Sequence, residues 1–335
     1  MNRVAIVVLN WNGIEDTLEC LTSLKSQTYT DFKVVVVDNG SIDNSKELLE
    51  KYKKESDESI QIIHNPKNRG FAGGVNTGIS WALTNNFDYV ALFNNDAVAD
   101  PDWLKILVEA AQPEDIGIST GLLLHRDGKT IDSSGDWQSS WGLPFPRSRG
   151  NPRDEAPEAG FVFGASGGAS LYKLSMIRQI GLFDEDFFAY YEDADFSFRA
   201  QLAGWKVIYS PKAIAYHKQG ATSSKIPGFA IYQTFKNLPL LFIKDIPNGL
   251  RLKVGIKFYF AYVLILLNAI AKGNGKPALK GTWMSFILSF KKLKERKEIQ
   301  KNKKVTTHYI ESVFWNDLPP DQTGIRKLRH LFTGK

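Results

Sequence analysis

The run Tyr89-Val-Ala-Leu-Phe-Asn-Asn-Asp96 carries mostly apolar residues straight into two amides and a carboxylate. A carboxylate at the C-terminal end of a buried strand is where open α/β sheets place ligands. Asp96 in that position has the chemistry to hold a divalent metal that carries a phosphorylated substrate; the same residues also suit a plain strand-to-turn junction. Two further strand ends bring comparable groups. Leu9-Asn-Trp-Asn12 offers Asn10 and Asn12, and Asp38 closes the run Val34–Val37. Asp38 suits a base-plus-ribose site, accepting from a base N–H or a ribose hydroxyl. Asn68-Arg-Gly-Phe-Ala-Gly-Gly-Val-Asn76 is a Gly-rich turn into a helix that supplies Arg69, Asn76 and close backbone approach. With Asn95 these residues make a nucleotide-binding set. The loop lacks Gly-Lys-Ser/Thr and is not a Rossmann fingerprint.

A second group of candidates lies downstream. The segment Phe183–Asp195 is crowded with carboxylates and aromatics. A general base needs a carboxylate whose pKa can be raised by apolar neighbours and like charge. Glu192 and Asp193, following Ala-Tyr-Tyr191, have both features. Acidic residues also favour helix N-termini, and Asp195, Phe198 and Leu202 continue at helical spacing, so the two readings coexist. Val207–His217 reads as a strand ending in His217, which is either a structural histidine or a metal ligand on the same edge.

The elements that must position these groups alternate. Apolar runs at Val4–Leu9, Phe32–Val37, Ile60–His64 and Tyr89–Phe93 read as strands, with helical spacing at Asp16–Ser26, Ser45–Lys54 and Gly73–Asn85. That order predicts βαβ units, a mostly parallel sheet, and strand C-termini gathered on one edge. Residues 127–159 are rich in Gly, Pro, Ser and charge and read as a flexible excursion over the site. Order is expected to resume at Gly160 and run to about Gln219. The single cysteine, Cys20, excludes a disulfide within the chain and a Cys-based zinc site, and falls in a helical packing pattern. The N-terminus has no signal-peptide pattern, which places the catalytic part on the cytosolic side.

Charge divides the chain. Residues 1–243 carry 23 Lys+Arg against 30 Asp+Glu, and residues 244–335 carry 19 against 6. A basic tail of this kind meets anions, either nucleic acid or lipid headgroups. It contains the apolar runs 258–271 and 283–290, the first shorter than the ~20 residues of a spanning helix, and both are bordered by lysine. Such faces suit a helix lying on a membrane; an ordinary helical subdomain with a solvated basic face is the other reading.

In order and spacing, the motifs together resemble inverting glycosyltransferases of family 2, which have the GT-A fold. The pieces are Val7-Val-Leu-Asn-Trp-Asn12, Val37-Asp-Asn-Gly-Ser41, Asn68-Arg-Gly-Phe-Ala72, Leu92-Phe-Asn-Asn-Asp96, Gly164-Ala-Ser-Gly-Gly168, Phe187–Asp195, Arg199, Gly204-Trp205 and His217. The rhamnosyltransferase-like branch is the most similar. The resemblance implies a GT-A catalytic domain over 1–225 and a basic amphipathic helical region over 226–335. It implies Asp38 on the nucleotide, Asp96 and His217 on Mg²⁺ or Mn²⁺, and Asp193, of the Glu192–Asp193 pair, as the base. Gly167, Gly168 and Trp205 would line the donor-sugar and acceptor side. One sugar, L-rhamnose from dTDP-rhamnose, would pass to a glycan or lipid-linked glycan at the inner face of the membrane, without nucleic acid. Asn94 replaces the first carboxylate of the family's DxD motif, which weakens direct metal binding. No Gln-x-x-Arg-Trp follows Trp205, which points to single transfer rather than processive synthesis. A nucleotidyltransferase, or a nucleotide-sugar-binding module without turnover, are the rival readings.

Overall fold

The computed structural model describes residues 2–55, 60–218, 226–322 and 324. The expected end of the ordered catalytic part near Gln219, and the boundary at 225, lie outside the described residues. The chain opens with β1 (Val4–Asn10), α1 (Ile14–Lys25), β2 (Phe32–Asp38), α2 (Ser45–Glu55), β3 (Ile60–His64), α3 (Gly70–Thr84) and β4 (Tyr89–Asn94). It continues through β5 (Ala97–Ala99), α4 (Trp103–Ala110), β6 (Ile116–His125), β7 (Ile131–Ser133), β8 (Asp136–Gln138), β9 (Pro144–Pro146), β10 (Gly160–Val162) and β11 (Ala169–Lys173). Then follow α5 (Leu174–Ile180), α6 (Glu192–Leu202), β12 (Lys206–His217), α7 (Phe229–Asp245), α8 (Arg251–Ala269), α9 (Gly275–Lys301) and α10 (Thr307–Ser312).

The main sheet runs β10-β12-β6-β11-β4-β1-β2-β3, with β5 added beside β12 and β7 beside β6. β4, β1, β2 and β3 are parallel. β11 lies antiparallel between β4 and β6, and β12 is parallel to β6. Two reversals restore direction, so β6 and β12 point the same way as β4 and all these strands end on one edge. Alternate residues of β1 pack on opposite faces, as a period of two requires. Val4, Ile6 and Val8 join the core under α1 and α4, while Ala5 and Val7 join the core under α3 and α6. α3 lies directly on β1 because Gly74 and Gly78 face it. A Cβ there would stand 2.4 Å from Leu9 Cδ1 and 2.6 Å from Val7 Cγ1, respectively. Cys20 is fully buried in the first core, as its helical pattern predicts.

The structure corrects the sequence reading in two places. Residues 127–159 are not a loose excursion: β7, β8, β9 and a 3-10 turn at Arg153–Glu155 order them. β6, buried along its length to Leu124, and α4 were not read from the sequence at all. Gly117, Ser119, Thr120 and Gly121 interrupt the apolar run that would have announced β6.

The basic C-terminal segment shares a core with the rest. Phe163, Phe198 and Leu202 pack with Phe235, Leu238, Phe242, Val254 and Phe258 in one cluster. Residues from both sides of the expected 225/226 boundary therefore exclude water together.

Candidate active site

Strand register places the groups that the sequence singled out. Asn10 lies opposite Asp38, Leu9 opposite Asn94, and His217 opposite His125 at the end of β6. β5 turns back along β12 with His217 opposite Ala97, which sets Asp96 beside the histidine. A cavity of about 950 Å³ opens at this edge, with Asp96, His217, Glu192 and Asp193 in its wall. That volume is within the range of small-ligand sites.

One corner of the cavity is a carboxylate–imidazole relay. His217 Nε2 lies 3.1 Å from Asp96 Oδ1 and 3.1 Å from Asn94 Nδ2. Its Nδ1 lies 2.8 Å from Asp132 Oδ2, and Asp132 is paired with Arg149 at 2.9 Å. Burial pulls the His217 pKa down, but the hydrogen bonds and charges of Asp132 and Asp96 outweigh it and hold it up at about 9. Burial works against the Asp132 carboxylate, yet the His217 bond and Arg149 keep its pKa below the usual value. Asp132 is the orienting group that sequence reasoning missed. It sits on the three-residue β7, where no periodic pattern announces a strand.

A second part of the cavity lining is the loop before α6. Phe188, Tyr190 and Tyr191 have φ of 63°, 67° and 70°, a left-handed region that costs non-glycine residues energy. α7 holds this loop. Asn237 Nδ2 donates to the carbonyls of Phe187, Ala189 and Tyr190 at 2.9, 2.9 and 2.7 Å. Lys236 Nζ donates to the carbonyls of Asp186 and Phe187 at 2.8 and 3.1 Å. The loop delivers Asp193 into the first turn of α6, where Gly167 N–H donates to Oδ2 at 3.3 Å and Ala194 N–H to Oδ1 at 2.8 Å. Burial raises the Asp193 pKa; those backbone donors oppose it without cancelling it. Burial, then the charge of Asp193, also raises Glu192, whose Oε2 has no hydrogen-bond partner among the described residues. Burial and Asp193 raise Asp136 on the same wall.

The strip Ser166–Gly168 touches both groups. Gly167 meets Asp193, and Gly168 O accepts from Asn94 N–H at 2.8 Å. Gly167 and Gly168 line the cavity, as does Asn95, which also donates to Thr17 Oγ1 at 3.0 Å.

Other candidates fall elsewhere. Asn10 is fully buried, bonded to Asp38 Oδ1 at 3.0 Å, and clamps β1 to β2. Asp38 is 3% exposed and also faces His64 at 3.4 Å; its neighbour Asn39 is the residue that lines the cavity. Asn12 shapes a turn, accepting from Ile42 N–H at 2.9 Å, while Trp11 faces the cavity. Arg69 does not line the cavity: it pairs with Glu185 at 2.7 Å. Asn76 is spent on the backbone of Phe183, accepting at 3.0 Å and donating at 2.9 Å. Trp205 is the clearest correction. It precedes β12 and so stands at the other edge of the sheet, donating to Gln179 Oε1 at 3.0 Å. Phe71, Phe188 and Tyr190, and Ile226, Phe229 and Asp321 from the C-terminal segment, complete the cavity; the sequence offered no local signal for the last three.

A second acidic group, Asp184, Asp186 and Glu295, has metal-like spacing. Its cation is already built in: Lys292 Nζ lies 2.8 Å from Asp186 and 2.9 Å from Glu295, and also pairs with Asp184.

Comparison with known proteins shows the family and the fold. The family profile described as Glycosyl transferase family 2 matches residues 5–181. The low-salt glycan biosynthesis hexosyltransferase Agl10 of Haloferax volcanii is 27% identical over 71% of this chain and 74% of its own length. A poly-beta-1,6-N-acetyl-D-glucosamine synthase of Staphylococcus aureus is 29% identical over 61% of this chain; the match spans 46% of that enzyme, about half. Among solved structures, GalNAc-T7 with UDP, GalNAc and Mn²⁺ superposes with TM-score 0.64 at 16% identity, over 93% of this chain and 56% of that one. A mannosyltransferase from Pyrobaculum calidifontis, in complex with GDP-Man and Mn²⁺, gives TM-score 0.56 at 16% identity, over 90% and 85%. At that identity the likeness is one of fold, and the fold is GT-A.

Proposed function

The chain belongs to glycosyl transferase family 2, and from that premise we propose that it moves one sugar from a nucleotide-diphosphate donor to a hydroxyl of a glycan or lipid-linked glycan, with inversion. The observation that carries the reading is one cavity with two sets of polar groups beside the Ser166–Gly168 strip. Asp193 accepts from Gly167 N–H, and Asn94, which donates to Gly168 O, lies against His217 and with it Asp96.

A single displacement needs groups on opposite faces of the reacting carbon. Asp193 takes the proton of the acceptor hydroxyl as its oxygen bonds to the anomeric carbon. The bond from that carbon to the diphosphate oxygen breaks, and the nucleoside diphosphate leaves on the far side with the electron pair. Burial suits Asp193 to this work, because a raised pKa makes the carboxylate a stronger base. Asn39 and Asn95 take the nucleotide end at the strand termini, with Asp38 behind them bonded to Asn10, and Phe71, Phe188 and Tyr190 form an apolar wall for the sugar.

The donor set at the other end fits a divalent ion. One carboxylate oxygen and one imidazole nitrogen line the cavity 3.1 Å apart, bonded to each other through the Nε2 proton, which a bound ion would displace. A mixed N,O pair suits Mn²⁺ better than Mg²⁺, which prefers oxygen alone. When bound, such an ion neutralises charge building on the departing diphosphate. Asp132 would orient His217 for that role through Nδ1.

L-Rhamnose from dTDP-rhamnose is the donor this reading adopts, on the ordered motif resemblance; the apolar wall is compatible with the methyl group of a 6-deoxy sugar. The acceptor's lipid carrier places the enzyme on the inner face of the membrane. Incubation with a panel of nucleotide sugars, Mn²⁺ and a glycan acceptor tests the reading. Transfer with release of nucleoside diphosphate supports it, and dTDP-rhamnose should be the preferred donor. Donor binding without transfer to any acceptor would overturn it.

A further inference from the structure

The C-terminal helices present two apolar faces, one turned inward and one outward. On α8 the inward face, Val254, Phe258, Ala261 and Tyr262, is built into the core. Phe258 stacks on Phe242 at 4.8 Å, and Tyr262 Oη donates to Phe235 O at 3.0 Å. The outward face repeats Leu252, Ile256, Tyr259, Val263 and Leu267 at intervals of three and four, each between 48% and 78% exposed. A stripe of that span is about 22 Å long at 1.5 Å per residue. α9 does the same. Lys292 and Arg296 point into the body, while Leu279, Trp283, Phe286 and Phe290 are 54% to 62% exposed on the other side. Trp283 and Phe286 stack at 5.8 Å in the open. Large side chains in such continuous rows are not ordinary surface.

The outward faces are bordered by cations. Lys280 flanks the stripes, and Lys294 and Lys297 follow the second; all are exposed, as are Lys253 and Lys291, which pair with Glu311 and Asp186. Two copies of this chain docked face to face would bring these lysine rows together and repel. Anionic headgroups would neutralise them, while the rings and aliphatic side chains enter the region below. α8 and α9 are joined through Gly273, whose φ of 79° breaks the helix between them, and the stretch Asn248–Lys301 is by length and composition apolar enough to cross a bilayer. Spanning would nevertheless strip Phe258 from its core and pull Lys292 away from Asp184 and Asp186. Hydrocarbon offers a charged lysine no such partner.

We propose that the outward faces of α8 and α9 lie in the headgroup layer of an anionic membrane leaflet, docking the enzyme without crossing the bilayer. The proposal draws on the sugar-transfer reading only for the acceptor's place on that membrane. Its test reads binding alone, so the two can fail separately.

The test is flotation of the full chain with vesicles of phosphatidylcholine, and of phosphatidylcholine with phosphatidylglycerol. The wild type should float with the anionic vesicles, less so in high salt, and be released by an alkaline carbonate wash. The triple variant Trp283→Glu, Phe286→Glu and Phe290→Glu should lose at least about tenfold in bound fraction. Its melting temperature and its transfer to a water-soluble acceptor should stay at wild-type values, showing an intact fold. A wild type that stays with the protein pool, a variant that floats equally well, or protein that resists carbonate would each overturn the proposal. So would a wild-type dimer that the triple substitution turns into monomer, since a second copy would then be the occupant.

Discussion

Asn237 on α7 donates to the carbonyl of Tyr190 at 2.7 Å, three residues before Asp193. The same amide nitrogen reaches the carbonyls of Phe187 and Ala189. One side chain from the C-terminal segment thus holds a backbone with three left-handed non-glycine residues. Strain of that kind persists only where the surroundings over-determine it.

Asn237→Ala should therefore act on the chemical step more than on binding. The loop would relax and Asp193 would move off its place beside Gly167. A displacement of about 1 Å costs on the order of 10²-fold in rate. The expected result is a fall in kcat with donor KM little changed, measured in steady-state transfer. Phe187 O keeps its bond from Lys236 Nζ, and each bond lost at Ala189 and Tyr190 costs about 0.5–1.5 kcal/mol, visible as a lower Tm.

Asp132→Asn should weaken metal activation without touching the cavity's nucleotide end. The amide cannot hold His217 Nδ1–H as the carboxylate does. Loss of such an orienting partner typically costs about 10–100-fold in metal affinity. Titrating transfer activity with Mn²⁺ should show the half-saturating concentration rising by that amount. Metal-free donor binding, followed by calorimetry, should stay the same.

The pH profile follows from Asp193. The ionised form is the base, and burial raises its pKa above the ordinary carboxylate value. Activity should be lost as pH falls through that raised pKa, so the acidic limb of kcat/KM lies at higher pH than for an exposed aspartate. Burial and the Asp193 charge push Glu192 up to about 8, so it is protonated and uncharged over that acidic limb, and Glu192→Gln should leave the limb in place. A limb that moves down in the variant would show that Glu192 carries charge there.

Trp205→Ala should leave donor and acceptor KM where they were. The ring lies at the far edge of the sheet, against Gln179 and Lys173. Thermal melting should show the loss instead, since the change removes packed apolar surface.

How much of this was legible depends on where the signal resided. Asp96 and His217 end apolar strands, and strand direction alone puts them on one edge; β11 lies reversed between β4 and β6 and leaves that conclusion intact. Glu192 and Asp193 stood out because carboxylates beside Tyr190 and Tyr191 are unusual company. Asp132 was invisible, since its strand is three residues long and its meaning comes from His217, 85 positions away. Asn237 was invisible for the same reason: its partners lie 47–50 positions earlier in the chain. Trp205 misled because a motif has an order but not an edge, and only β12 shows which end of the strand it occupies.

In the proposed mechanism Asp193 is the base, and the nucleotide-sugar site is built without it. Single-turnover transfer by Asp193→Asn, alongside calorimetry of donor binding in Mn²⁺, tests it most directly. Donor affinity should match the wild type, and transfer should slow by about 10²–10⁴-fold, the worth of a positioned base. Transfer at the wild-type rate, or a loss of donor affinity that explains the whole defect, would contradict it.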